Sequence, residues 1–421
     1  MKLKSLLFGS AAVLAAGTGA LAADLPYVEP VDYVRICDAF GAGFYYIPGT
    51  DTCLKVGGYV RVESHSVWGD TDILYGVHEG HVNNWTTRAR GQVNLDARTQ
   101  TDYGLVRAYI ALEMTVGPGA TVTAAGGPPS AVFPTNPNYD GSGPNLAAAY
   151  VQVSNDWGTY TAGHTGSFFD FWGGQAWATR LGLDAGTGEA TLFAWTFAGG
   201  NGFSFTVSME DPATIGRRRN GDDDYEGQEA PDGVANIRLD SGWGSAQIMG
   251  AVRHIHDYAT AGATIDDVSD DDIGYAVGAG LSLNLPGGWV FRSQGGYSEG
   301  AISYISNDPG KFGDLNGPNP DNQNESWAFR AGLAGPLMNN VSGWIEGGWT
   351  HVLEDGNNDE YDWWAIVAGA SWSPVPGLYM GPEVAYNSYD ITNVDGNGIN
   401  PADIRTDYDV WGAMWRVQRS F

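Results

Sequence analysis

Past its opening residues the chain has no apolar run near the ~18 residues that a membrane-crossing helix needs. Helical 3.6-residue stripes are essentially absent as well. Lysine and arginine are scarce, 21 against 49 aspartates and glutamates, for a formal charge of -28. Such acidity argues against nucleic acid as a partner, because phosphate binding needs a basic stripe. Catalytic arrangements are missing too: the seven histidines include no HExxH, and there is no nucleophile elbow or phosphate loop. "HIHDY", His254 to Tyr258, reads as a strand leaving for a surface loop. Neither an enzyme nor a cofactor is expected.

Glycine and tryptophan, by contrast, are abundant, with 61 and 16 residues. Glycine at about twice its usual ~7% suits many strands joined by turns. So many aromatics do not fit a disordered chain. The start, "MKLKSLLFGSAAVLAAGTGALAADLP", has a basic head (Lys2, Lys4) and an apolar run from Leu6 to Ala16. Ala20-Leu21-Ala22 then offers a small-residue cleavage site. This predicts a signal peptide over 1–22 and one exported domain over 23–421. The only two cysteines, Cys37 and Cys53, would then meet oxidising conditions, where a disulfide is the default. A metal pair or reactive thiol lacks nearby ligands.

Period-two alternation runs through the chain. "CLKVGGYVRVES" sets Leu54, Val56, Val60 and Val62 against Lys55, Tyr59, Arg61 and Glu63. "WTTRARGQVNLDAR" sets Ala89, Val93 and Leu95 against Arg88, Arg90, Gln92, Asn94 and Asp96. "YGLVRAYIALEM" sets Val106, Ala108, Ile110 and Leu112 against Arg107, Tyr109 and Glu113. About sixteen such segments follow one another to the end of the chain. Their connections alternate between tight turns, such as "NDWG" at 155–158 and "SGWG" at 241–244, and long polar loops such as "ISNDPGKFGDLNGPNPDNQNE". Short turns at one end and long loops at the other are the plan of an outer-membrane barrel.

A β-sandwich would alternate too, but two features favour the barrel. Aromatics bound the apolar faces: Trp289 and Tyr297 share a face, as do Trp364 and Trp372. Eight residues span roughly 26 Å of strand, or about 20 Å of height when tilted, near the ~25 Å apolar band of a barrel. The faces between are rich in Ala, Gly and Val, which lipid accepts and an interdigitated core does not. The fold class predicted is all-β, a transmembrane antiparallel β-barrel of about sixteen strands, wide enough for an aqueous lumen. Phe421, Val417 and Trp415 share the lipid-facing register at the carboxyl end, the usual ending of such barrels. Arg419 interrupts that face and is expected to snorkel to the interface.

"DLPYVEPVDYVRICDAFGAGFYYIPGTDTCLKVGGYVRVE", "YTAGHTGSFFDF" and "WRVQRSF" together resemble the general porins of alphaproteobacteria (Rhizobiales type) across the mature chain. The resemblance implies an outer-membrane homotrimer passing small hydrophilic solutes and ions by diffusion. It also implies contact with outer-membrane lipid and lipopolysaccharide, and one long loop folded into the lumen. Residues 165–189, "TGSFFDFWGGQAWATRLGLDAGTGE", suit that loop: Phe168, Phe169 and Phe171 would anchor it, and Asp170, Asp184 and Glu189 would supply acid. Facing them, Lys55, Arg61, Arg88, Arg90, Arg98 and Arg107 would form a basic wall. The pair of faces would set a transverse field across the constriction. Alternatively, these arginines merely pair with Glu63, Asp96 or Glu113. "TNVDGNGINPADI" is a weak calcium candidate through Asn393, Asp395 and Asn397, since its apolar and terminal positions depart from the EF-hand pattern. A substrate-specific sugar or oligosaccharide channel, with Tyr59 and Tyr109 as stacking sites, is the alternative function.

Overall fold

The alternating segments pair into a sheet that closes on itself. The computed structural model describes residues 35–69, 85–117, 145–177, 188–211, 230–255, 272–306, 323–355, 359–392 and 407–421. A two-residue strand, β1 (Tyr45–Tyr46), precedes the barrel strands. These are β2 (Cys53–Gly69), β3 (Trp85–Thr101), β4 (Gly104–Val116), β5 (Asn145–Asn155), β6 (Gly158–Gly166), β7 (Glu189–Gly200), β8 (Phe203–Glu210) and β9 (Asp232–Ser241). The second half holds β10 (Gly244–Ile255), β11 (Asp272–Asn284), β12 (Val290–Glu299), β13 (Glu325–Met338), β14 (Val341–Glu354), β15 (Asp359–Val375), β16 (Leu378–Thr392) and β17 (Asp407–Ser420). All the segments expected from alternation are present as strands. Each barrel strand runs antiparallel to its chain neighbours, and β17 returns to β2, with Val410 opposite Gly69 and Ser420 opposite Tyr59. Phe421 and Gly58 exchange two further backbone bonds of 3.1 and 3.2 Å. Closure pairs the edges that hydrocarbon could not tolerate open.

Tight turns sit at the end that carries both the start of β2 and the end of β17. Asn201 and Asn340 occupy two of them with φ of 50° and 61°, a region asparagine tolerates better than most residues. The strand faces divide as the alternation predicts. Val93 and Ile366 are 40% and 47% exposed on the outside, while the side chains of Arg88 and Arg90 lie on the lumen side at 10% and 16%. Outward rings form a belt at the long-loop end: Tyr297 against Trp327 at 5.4 Å, Trp364 against Tyr386 at 5.1 Å, and Tyr386 against Trp411 at 4.7 Å. Phe203, Phe205, Trp372, Trp415 and Phe421 are exposed toward the other end. Two aromatic levels around an apolar band are the signature of a lipid-spanning barrel. Arg419 resolves its awkward place by donating to the carbonyl of Pro376 in the neighbouring turn.

The interior is drier than expected. Residues 301–306, the approach to a connection expected to be polar and external, turn inward and are buried. Tyr304 packs on Phe169 at 5.0 Å, in a cluster with Val234, Met249, Ala251, Ala276 and Ala328 of the inner wall. Its hydroxyl donates to Asp232 at 2.8 Å, and Arg253 bonds both Asp232 and Ser303. The mainly apolar segment "GAISYI" packs against the inner wall because its Ser303 and Tyr304 hydroxyls and the buried charges beneath them are mutually satisfied.

Candidate functional site

The chain leaves β6 at Gly166 and turns along the inner wall as a belt. Its backbone N–H groups are met by buried acceptors on β8, β12, β14 and β16. Glu210 accepts from Phe168 at 3.0 Å and from the Ser167 hydroxyl at 2.7 Å. Gln294 accepts from both Phe171 and Trp172, at 2.9 and 2.7 Å. Glu346 takes Gln175 and Ala176 at 2.5 and 3.0 Å, and Glu383 takes Trp177 at 2.5 Å. Donors complete the path: Asn236 and Arg330 reach the carbonyls of Phe168 and Trp172 at 2.7 and 2.6 Å, and Arg416 reaches that of Trp177. Guanidiniums also cover the rings, Arg238 over Phe171 and Arg330 over Trp172, at 5.2 and 5.1 Å. The wall makes room: a Cβ at Gly332 would meet the Trp172 ring at 2.8 Å, and one at Gly280 would collide with Phe171. The belt thus runs from β8 to β17, held by charge-assisted bonds in a setting that would penalise any orphaned N–H.

Where the belt meets β17, an ionic knot joins the two ends of the barrel. Glu63, on β2, accepts from Arg416 of β17 at 2.5 Å and from Arg88 of β3, with Arg61 4.0 Å away. Arg90 lies across from Arg61 in the register and pairs with Glu113 at 3.0 Å. One carboxylate with three arginines leaves positive charge on this arc of wall, where the belt's Trp177 covers Arg416.

Comparison with known proteins then settles the class. The family model described as "Porin subfamily" matches residues 24–413. The chain belongs to this porin family. It is similar over its whole length to Porin Omp2b of Brucella suis biovar 1 (strain 1330) and of Brucella abortus (strain 2308), at 29% identity over 427 residues with all of each chain covered. In structure it is similar to the outer membrane channel DcaP of Acinetobacter baumannii, with a TM-score of 0.65 at 18% identity over 89% of this chain and 99% of that one. It is also similar to OmpT of Vibrio cholerae in its trimer form, with a TM-score of 0.54 at 9% identity over 88% and 100%. The porin is a multi-pass outer-membrane barrel that forms a channel for the passive diffusion of small hydrophilic solutes.

Within the porin the expected basic wall divides into two tiers. Arg61, Arg88 and Arg90 stand at the level of the knot. Lys55, Arg98 and Arg107 lie nearer the tight turns, with Lys55 opposite Asp96 and Arg98 opposite Arg107. Six residues of β2 separate Lys55 from Arg61, roughly 20 Å along the strand. Asp96 binds Arg98 and Arg107 at 2.8 and 3.0 Å, so pairing with Glu63, Asp96 and Glu113 does occur. Phe44 lies 4.9 Å from the Arg98 guanidinium and 5.8 Å from Lys55 Nζ, on a segment closed by the Cys37–Cys53 disulfide.

On the belt, Phe169 is buried, and Phe168 and Phe171 pack against the same inner cluster. Asp170 accepts from the Gly188 N–H at 3.0 Å, a bond that ties the two limbs of the loop together. Glu189 requires correction. It opens β7 in the outward register of Phe193 and Trp195, whereas Ala190, Leu192 and Ala194 take the buried inner side. Strand parity therefore removes it from the lumen. Asp184, the calcium candidate Asn393, Asp395 and Asn397, and the signal peptide expected over 1–22 lie outside the described residues. Trp415 and Phe421 are exposed on the outer face, and Val417 shares their register. Sequence reasoning missed Arg416, Glu383, Glu346, Gln294 and Glu210. Each has the inner parity of its strand, which was the available signal.

Proposed function

We propose that solutes cross through the gap between the belt and the β2–β4 wall, with Arg61, Arg88 and Arg90 lining one side and the Asp170 loop the other. The observation that carries this is the anchoring of residues 167–177 along the inner wall by Glu210, Gln294, Glu346 and Glu383. A loop held that way narrows the bore without sealing it. Fixed guanidiniums on one side and loop carboxylate on the other give a transverse field, in which a polar solute aligns its dipole while an apolar one must break ordered water. Asp184 belongs to the acidic side in this reading, and Lys55, Arg98 and Arg107 form an approach below it. The assembly is a homotrimer in lipid and lipopolysaccharide, which the trimer form of OmpT supports by analogy of fold. The test is planar-bilayer recording from detergent-extracted protein. Stepwise conductance proportional to salt concentration, with no saturation by any one sugar, is expected. Release of the protein without detergent, or the absence of conductance steps, refutes it. The sugar-specific alternative gains from the Tyr109–Tyr150 stack at 5.2 Å, and saturable block by a neutral sugar would favour it.

A further inference from the structure

The lower tier is built for more than solvation. Asp96 holds two guanidiniums at once: Arg98 donates at 3.0 and 2.8 Å, and Arg107 donates at 3.0 Å to each carboxylate oxygen. Arg107 is fixed further by Gln152 at 3.2 Å. A guanidinium has five N–H groups. The remaining ones on both arginines have no acceptor among the described residues, and both side chains stay about a quarter exposed, at 26% and 24%. Lys55 stands across the strand from Asp96 and is exposed. Beside them Tyr109 and Tyr150, paired across β4 and β5, stack at 5.2 Å, with the Arg107 carbon 5.0 and 5.4 Å from their ring centres.

We propose that this lumen patch is a weak binding site for an oxyanion carried on a ring, a carboxylate or phosphate group on an aromatic or sugar ring. The oxyanion would take the spare N–H groups of Arg98 and Arg107, and the ring would lie against Tyr109. One carboxylate serving two guanidiniums leaves net positive charge, so the patch favours an anion over a neutral sugar. Arginines already locked by Asp96 also lose little freedom on binding. Planar donor forks match carboxylate and phosphate oxygens in pairs, and aromatic faces take rings without demanding one identity. The site rests on the pore reading and gives the diffusion channel a resting point on the tight-turn side of the constriction.

The experiment adds sodium benzoate, benzyl alcohol or inorganic phosphate to single channels of the full mature chain in a planar bilayer. Benzoate is expected to reduce current saturably, and benzyl alcohol to do nothing. Arg98→Gln with Arg107→Gln should weaken the apparent benzoate affinity about tenfold or more. Tyr109→Leu should weaken benzoate but spare phosphate. Should the double variant give no channels, Arg107→Lys keeps the charge, loses the paired geometry and should still weaken benzoate. Equal block by benzyl alcohol, block unchanged in these variants, or block abolished by Arg88→Gln alone overturns the site. A chain that conducts but ignores benzoate sinks the site alone, whereas one that never conducts sinks the pore reading with it.

Discussion

Replacing Arg90 with glutamine removes one positive charge from the lumen wall and little else. Arg90 pairs with Glu113 at 3.0 Å and donates to Thr115 at 3.0 Å, and glutamine can keep a hydrogen bond to either. An ion passing ~6 Å away in water feels a unit charge as about 0.7 kcal/mol. At ~0.1 M salt, screening over a Debye length of about 10 Å reduces this to about 0.4 kcal/mol. Losing the charge penalises anions and favours cations by the same amount, so the cation-to-anion permeability ratio should rise about three- to fourfold. At ~0.01 M the change should approach about sevenfold, because the Debye length grows to about 30 Å. Across a roughly tenfold salt gradient, the first figure moves the zero-current potential of an initially unselective channel by about 25 mV. Arg419→Gln serves as the control: that guanidinium is outside the barrel, bonded to a turn, and its loss should leave the potential in place. A shift below about 5 mV, one toward anions, or one indifferent to salt would refute a pore that passes close to Arg90.

Other parts of the molecule can be tested separately. Ile366→Lys puts a charge on the outer face near the middle of β15 and should cost about 2–4 kcal/mol of stability in urea titrations of vesicle-embedded protein. A loss under about 0.5 kcal/mol would mean that this face does not meet lipid. Gln294→Leu strips two belt N–H groups of their shared acceptor, each worth about 1–3 kcal/mol when buried. Single-channel traces should become noisier and show larger openings, and an unaltered trace would mean that the belt is held elsewhere. Cys37→Ser with Cys53→Ser removes a link worth about 3 kcal/mol by chain entropy. Protease should then cut between residues 38 and 52 while the barrel keeps its detergent-resistant mobility on gels, and intact resistance there would show that β1 and Phe44 suffice.

The strands and the orientation of their faces were legible because period two is local. Arg88, Arg90 and Val93 reveal their sides to anyone counting residues along β3. Height and closure are not local, and that is where the reading from sequence fell short. Arg98 and Arg88 are ten residues apart on one strand, yet parity alone groups them on one wall. Glu189 was misplaced because its side depends on where the loop ends and β7 begins. Arg416 joins Glu63 across 353 positions only once the first and last barrel strands meet. The belt's acceptors were hidden for another reason. A glutamate or glutamine on the inner parity of a strand looks solvated until the loop that covers it is placed.

The meeting of Phe421 with Gly58 has a consequence for biogenesis. Phe421 follows the last barrel strand and is bonded to Gly58 near the beginning of the first long one, so the seam cannot form until both strands have been made. Throughout export, both terminal strands therefore present unsatisfied margins open to any other extended peptide. Pairing of ends so distant in the chain is also slow to find. Removing Ser420 and Phe421 strips the seam of its last backbone bonds and should interfere with insertion while leaving the Arg61–Gln418 contact of the lumen wall in place.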